Sequence, residues 1–145
     1  MSPTGRHGAA LVAAIALAVC ACNHAPRDAT PEGAVRMFIE EMESSADDFT
    51  AMKRVYELLG PTSRANLSER ARRASQLQGR QVKPWDMLAP GLFGVAFRPK
   101  VMRSTVVGDR ATVDVFGEDP QGEHASIVCA REAGGWRVEA GFPEP

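Results

Sequence analysis

A change of hydrophobic period near residue 100 limits the fold more than any other feature. Before it, apolar residues recur three and four apart, as on one face of a helix. After it they alternate, as on one face of a strand. Val35, Phe38, Ile39 and Met42 make the first helical stripe. Thr30-Pro31-Glu32 starts that helix, with a hydroxyl for the N-cap, a proline whose φ is preset and a carboxylate at the positive helix end. Ser44-Ser45 breaks the pattern. A second helix is predicted from about Asp47, with Phe49, Met52, Tyr56 and Leu59 on one face and Gly60-Pro61 as its stop. A third is predicted from near Ser63. Its apolar stripe is Leu67, Ala71, Ala74 and Leu77, and Gly79 closes it. Its other face sets Arg64, Arg70, Arg72 and Arg73 against Glu69 and reads as a solvated face.

Residues 80–100 are rich in Pro and Gly, with Trp85, Leu88, Leu92 and Phe93 expected to pack, so they read as a folded crossover. Val101–Val107 and Arg110–Phe116 then flank Gly108-Asp109, a two-residue hairpin turn. In that register Arg103 faces Asp114 as a cross-strand pair, and Met102, Ser104, Val106, Ala111, Val113 and Val115 share the opposite face. A second hairpin is expected between 125–131 and 136–142 around Ala133-Gly134-Gly135. Registers differing by two residues keep Ile127, Cys129, Trp136, Val138 and Ala140 on one face. Helices followed by an antiparallel sheet predict an α+β domain with the helices covering one sheet face.

The N-terminus is of another kind. Residues 9–21, AALVAAIALAVCA, are apolar throughout and follow one firm cation, Arg6. The run is far shorter than the roughly 18–20 residues of a membrane span and has the length of a signal-peptide apolar region. Val19-Cys20-Ala21-Cys22 resembles a bacterial lipoprotein signal: an aliphatic residue, a tolerant position, a small residue, then cysteine. The resemblance implies that Cys22 carries the lipid and becomes the mature N-terminus. Cys20 does not fit, because Val19 occupies the position that needs a small residue. Ordinary secretory cleavage and an uncleaved anchor are the other readings of the same stretch. The division is then a signal peptide over 1–21, a tether over 22–29 and a domain over 30–145. The tether reaches up to roughly 25–30 Å when extended. The lipoprotein reading implies a membrane partner through Cys22. It places the domain in the bacterial cell envelope, facing the periplasm, with the outer membrane ahead of the inner.

At 145 residues the chain has room for one domain with a real core. A net charge of −1 gives no field that would favour nucleic acid, and three cysteines make no disulfide framework. No zinc spacing, phosphate loop or nucleophile elbow occurs, so neither metal nor cofactor is expected.

TPEGAVRMFIEEM, then LLGPTSRANL, then hairpins ending REAGGWRV resemble the nuclear-transport-factor-2-like superfamily. The closer likeness is to small bacterial lipoproteins of unknown function with that fold, over roughly residues 30–142. The resemblance implies a curved sheet whose helices enclose a cone-shaped cavity. In some relatives that cavity holds an ionisable pair for isomerase or cyclase chemistry; others only bind ligands or partners, and the fold often dimerises through its sheet.

The predicted inner face carries no acid and no histidine. Tyr56, Trp85, Asp86 and His124 outside that face, and Cys129 on it, remain as cavity candidates. Each has a structural role to set against a functional one. Tyr56 fits core packing with a bonded hydroxyl. Asp86 fits a turn cap after Pro84, beside Trp85. His124 fits a surface imidazole with nothing to orient it. Cys129 fits a small buried hydrophobe, although Arg131 shares its face. The leading expectation is a non-catalytic domain binding a small apolar ligand or an envelope protein. An isomerase or cyclase with a cavity acid or His, and a homodimerising module, are the alternatives.

Overall fold

Thr30 caps the first helix as its position suggests: its Oγ1 accepts the Gly33 N–H at 3.1 Å. The computed structural model describes residues 25–45, 48–88 and 95–142. The expected signal peptide, Cys20, Cys22, Leu92, Phe93 and the side chain of Phe49 lie outside the described residues. Helix α1 spans Pro31–Ser44 and buries Val35, Phe38, Ile39 and Met42, the stripe read from the sequence. Helix α2 spans Phe49–Leu58, with Asp48 accepting the Thr50 N–H as its N-cap. Helix α3 spans Pro61–Gln78 and closes on Gly79, which takes the left-handed conformation at φ 64°.

Among the described residues four strands follow in a meander: β1 Val101–Val107, β2 Arg110–Phe116, β3 His124–Glu132 and β4 Gly135–Glu139. Their order in the sheet is that of the chain, and every pair is antiparallel. Helix α1 lies across the inner face and touches all four strands. Helix α2 packs on α1, while α3 packs on β4 and on a 3₁₀ turn, Pro84–Met87, in the crossover. The core joins Phe38, Val55, Leu59 and Leu67 from the helices to Val113, Val115, Cys129, Trp136 and Val138 from the sheet. An α+β domain with helices on one sheet face is the observed class.

Several expectations need correction. Helix α3 begins at Pro61, not near Ser63, because Gly60 serves as its N-cap residue and proline suits the first helical position. Leu77, expected in the apolar stripe, is 89% exposed, since the last turn of α3 runs past the elements it packs against. The β1–β2 register is as expected, with Arg103 opposite Asp114, yet the two side chains part. Asp114 accepts the Ser126 hydroxyl from β3 at 2.6 Å, while Arg103 lies over the Phe116 ring. Val106, expected on the covered face, is 47% exposed at the strand end. In the second hairpin Arg131 pairs with Trp136 and Glu132 with Gly135, so Ala133-Gly134 is the turn. Gly135 is already in β4, with φ 153° and the Asp28 side chain where a Cβ would go. Strand β4 ends at Glu139 rather than near 142, because the chain turns away with the Phe142 N–H bonded to the Ala140 carbonyl.

The basic face of α3 is largely paired. Glu69 accepts from both Arg72 and Arg73, which hold its carboxyl down at about 2. Arg70 donates to Asn66, and Arg64 reaches Glu132 on β3.

Candidate functional site

The unequal lengths of β3 and β4 create the most distinctive concavity. Strand β4 stops opposite Val128, while β3 runs on to His124. Between that free half of β3, the departing chain at Ala140-Gly141 and Phe38 of α1 lies a mainly apolar cleft of about 340 Å³. Phe38, Ile127, Val138 and Ala140 are its apolar walls, and Ser126 and Glu139 lie among its polar lining. Alternation explains the walls. Val138 is on the inner face of β4, Ile127 is on the inner face of β3, and Phe38 is buried on α1 beneath them.

A second cleft, about 300 Å³, shares Val128, Glu139, Ala140 and Gly141 with the first and extends to Ser63, Asn66 and Arg110. Glu139 therefore stands between the two, and it is heavily engaged. Its carboxylate accepts the N–H groups of Thr62 at 3.2 Å and Ser63 at 2.9 Å, and the Ser63 hydroxyl at 2.7 Å. It caps α3, whose own N-cap residue is the side-chain-less Gly60. A Cβ at Gly60 would lie 2.5 Å from this carboxyl group, so the glycine is the condition for the approach.

The five sequence candidates do not converge here. Tyr56 and Trp85 meet edge to face at 6.0 Å between α2 and the crossover turn, and the Tyr56 hydroxyl is 3.2 Å from the Ser68 Oγ. Asp86 accepts the Lys83 N–H at 2.9 Å and closes the crossover turn. His124 is on the outer sheet face, stacked on Phe116 at 4.7 Å, with its Nε2 3.3 Å from Asp114. The expectation that nothing orients it is corrected: a stacked ring and a carboxylate do. Asp114 is held below the usual carboxylate range, first by the Ser126 hydroxyl and then by His124. Both neighbours bond to the same carboxylate, so this group is not a serine–histidine relay.

Cys129 is fully buried between Ala111 and Val138 in the sheet register. Burial pushes its thiol up to about 12, and the carboxylates of Glu32 and Glu139 add to the effect. A thiol so placed is a poor nucleophile near neutral pH.

Two acids escaped the inner-face reading. Glu32 was visible as a helix-start residue, and its carboxyl also feels Ser104, the lone polar residue of that face in β1 and β2. Burial raises its carboxyl, and the Ser104 hydroxyl and backbone outweigh that, so it lies below its usual range. Glu139 is on the outward-facing alternation of β4 and reaches the clefts only because the strand ends there. Proximity to the strand's end was the available signal, but the end itself was placed too late.

These elements define an α+β domain with an apolar cleft at the open corner of its sheet. Among the described residues no group of three or more His, Cys, Asp and Glu side chains could hold a metal ion. Among them, no helix is long and apolar enough to cross a membrane. No protein-family model, curated protein or solved structure matches this chain.

Proposed function

We propose that the protein is an exported lipoprotein, anchored through Cys22, whose domain binds a small apolar molecule in the cleft between Phe38 and the β3–β4 corner. The domain would be a nuclear-transport-factor-2-like cone open at that corner, facing the periplasm from its envelope membrane. The observation that carries the binding reading is the make-up of the cleft. Its walls are Phe38, Ile127, Val138 and Ala140, and its carboxylate, Glu139, is already satisfied by three donors. A preformed apolar concavity with few polar groups is what a small apolar ligand needs. The engagement of Glu139 and the high thiol pKa of Cys129 weigh against an acid–base or nucleophilic role.

The test is gentle extraction of the intact protein from membranes, followed by mass spectrometry of bound small molecules, beside an Ala140→Trp variant. An indole there fills the cleft from a half-buried wall position. The reading expects an apolar molecule with the native protein and its loss from a variant of unchanged unfolding midpoint. Equal recovery from both would place the ligand elsewhere. Fractionation of Cys22→Ser addresses the anchor, and the expected result is release from the membrane fraction or retention of the unprocessed chain.

A further inference from the structure

A 3₁₀ turn, Arg27–Ala29, precedes α1, and the domain holds it firmly. The Arg27 carbonyl lies against Gly33, where a Cβ would come within 1.7 Å of that oxygen. Asp28 lies against Gly135 and accepts from Arg137 Nη1 at 2.5 Å, while Arg27 pairs with Glu40 at 2.6 Å. The chain therefore enters the domain at the start of β4, beside the β3–β4 turn. The Arg131 N–H bonds to the Asp109 carbonyl at 2.7 Å, which sets the β1–β2 turn at the same end of the sheet.

That end is not a typical polar rim. Val106 and Val107 are 47% and 75% exposed there. They lead into Gly108 at the turn, and the exposed Arg110 and Arg131 stand beside them, with Asp109 as the turn's carboxylate. The opposite end has a single exposed valine, Val101 at 47%, beside Lys100 and Arg98, and there the β2–β3 loop adds the carboxylates of Glu118, Asp119 and Glu123. Apolar side chains flanked by arginines suit a bilayer interface, because the apolar groups enter the acyl boundary while guanidinium groups remain at the phosphates.

We infer that this end of the sheet is the protein's membrane-facing surface. Val106 and Val107 enter the headgroup region of an anionic phospholipid bilayer, and Arg110 and Arg131 face its phosphates. The inference rests on the anchoring reading. Pro26 is four positions beyond Cys22, a reach of at most roughly 14 Å. A lipid on Cys22 then holds the β1–β2 and β3–β4 turns against the bilayer and points the acidic β2–β3 loop away from it.

The experiment uses the full processed chain, with its acylation verified by mass spectrometry, reconstituted into phosphatidylethanolamine–phosphatidylglycerol vesicles. A fluorescent thiol label is placed at Val107→Cys or at Gln121→Cys in the β2–β3 loop. Both positions are exposed, and the native Cys129 is buried. The expected result at 107 is a blue shift, quenching by nitroxide-bearing lipid and several-fold weaker quenching by aqueous iodide than at 121. Equal iodide access at both sites, with the protein still attached, overturns the inference and leaves the anchor standing. Shelter from iodide without lipid quenching marks contact with a second copy and overturns it too. A processed chain that leaves the vesicles on washing overturns the inference together with the anchoring reading.

Discussion

Cys129 and Trp136 carry the residue-scale expectations. Cys129 has no exposed surface, and its folded-state thiol is raised from 9.0 to about 12 by burial, then by Glu32 and Glu139. The unfolded chain releases that proton first. The stability contributed by the protonated thiol is therefore full below about pH 9 and is lost as pH rises toward 12. Thiol-reagent labelling near neutral pH should be slow in the native protein and fast in denaturant. Rapid native labelling would put the sulfur at a surface. Trp136 is 2% exposed, and Arg131 lies over its ring at 4.6 Å. Trp136→Ala should cost about 3–5 kcal/mol in chemical denaturation, the range of a buried aromatic truncated to alanine. A loss under about 1 kcal/mol would mean that the ring is not part of the core.

At the scale of elements, α1 and α3 begin in different ways. Helix α1 is capped by its own Thr30, α3 by Glu139 of the adjoining β4, far along the chain. Thr30→Ala should cost about 0.5–2 kcal/mol, as for a local cap. Glu139→Ala removes a charged acceptor from two backbone N–H groups and from the buried Ser63 hydroxyl, and should cost about 1–3 kcal/mol. Gly60→Ala should imitate it by pushing the carboxylate away. Urea titrations of the three variants decide this. If Glu139→Ala costs less than Thr30→Ala, the long-range cap is not a principal support of α3. Helix α1 was legible because its cap, stripe and stop are contiguous residues. The capping of α3 was not, since its acceptor is more than seventy positions away and no local pattern couples the two.

For the whole molecule, the chain of charges Asp28–Arg137–Glu132–Arg64 ties the N-terminal turn, β4, β3 and α3 together. Arg137 and Asp28 keep only 19% and 15% of their side-chain surface, so removing Asp28 leaves a mostly buried guanidinium with the longer 3.8 Å pairing to Glu132 and the Trp136 carbonyl. Asp28→Ala should speed tryptic cleavage after Arg27 and lower stability by about 1–3 kcal/mol while leaving the fold intact. Gly135→Ala should free the same turn, because Asp28 occupies the space of the new Cβ and φ is 153°. Unchanged cleavage in both variants would show that the turn is held by other contacts. The hydrophobic period, together with local turn and cap residues, determined the α+β class, the burial of the α1 stripe, the β1–β2 hairpin and the shared face of Cys129, Trp136 and Val138. Those features depend on which side of a helix or strand a residue occupies, and neighbouring residues suffice to set that. Tertiary structure decided that β4 stops at Glu139 and opens a cleft, that Asp114 bonds Ser126 and His124 rather than Arg103, and that Asp28 finds Arg137. These outcomes depend on which elements meet and where each one ends, and such distances in space have no counterpart in spacing along the chain.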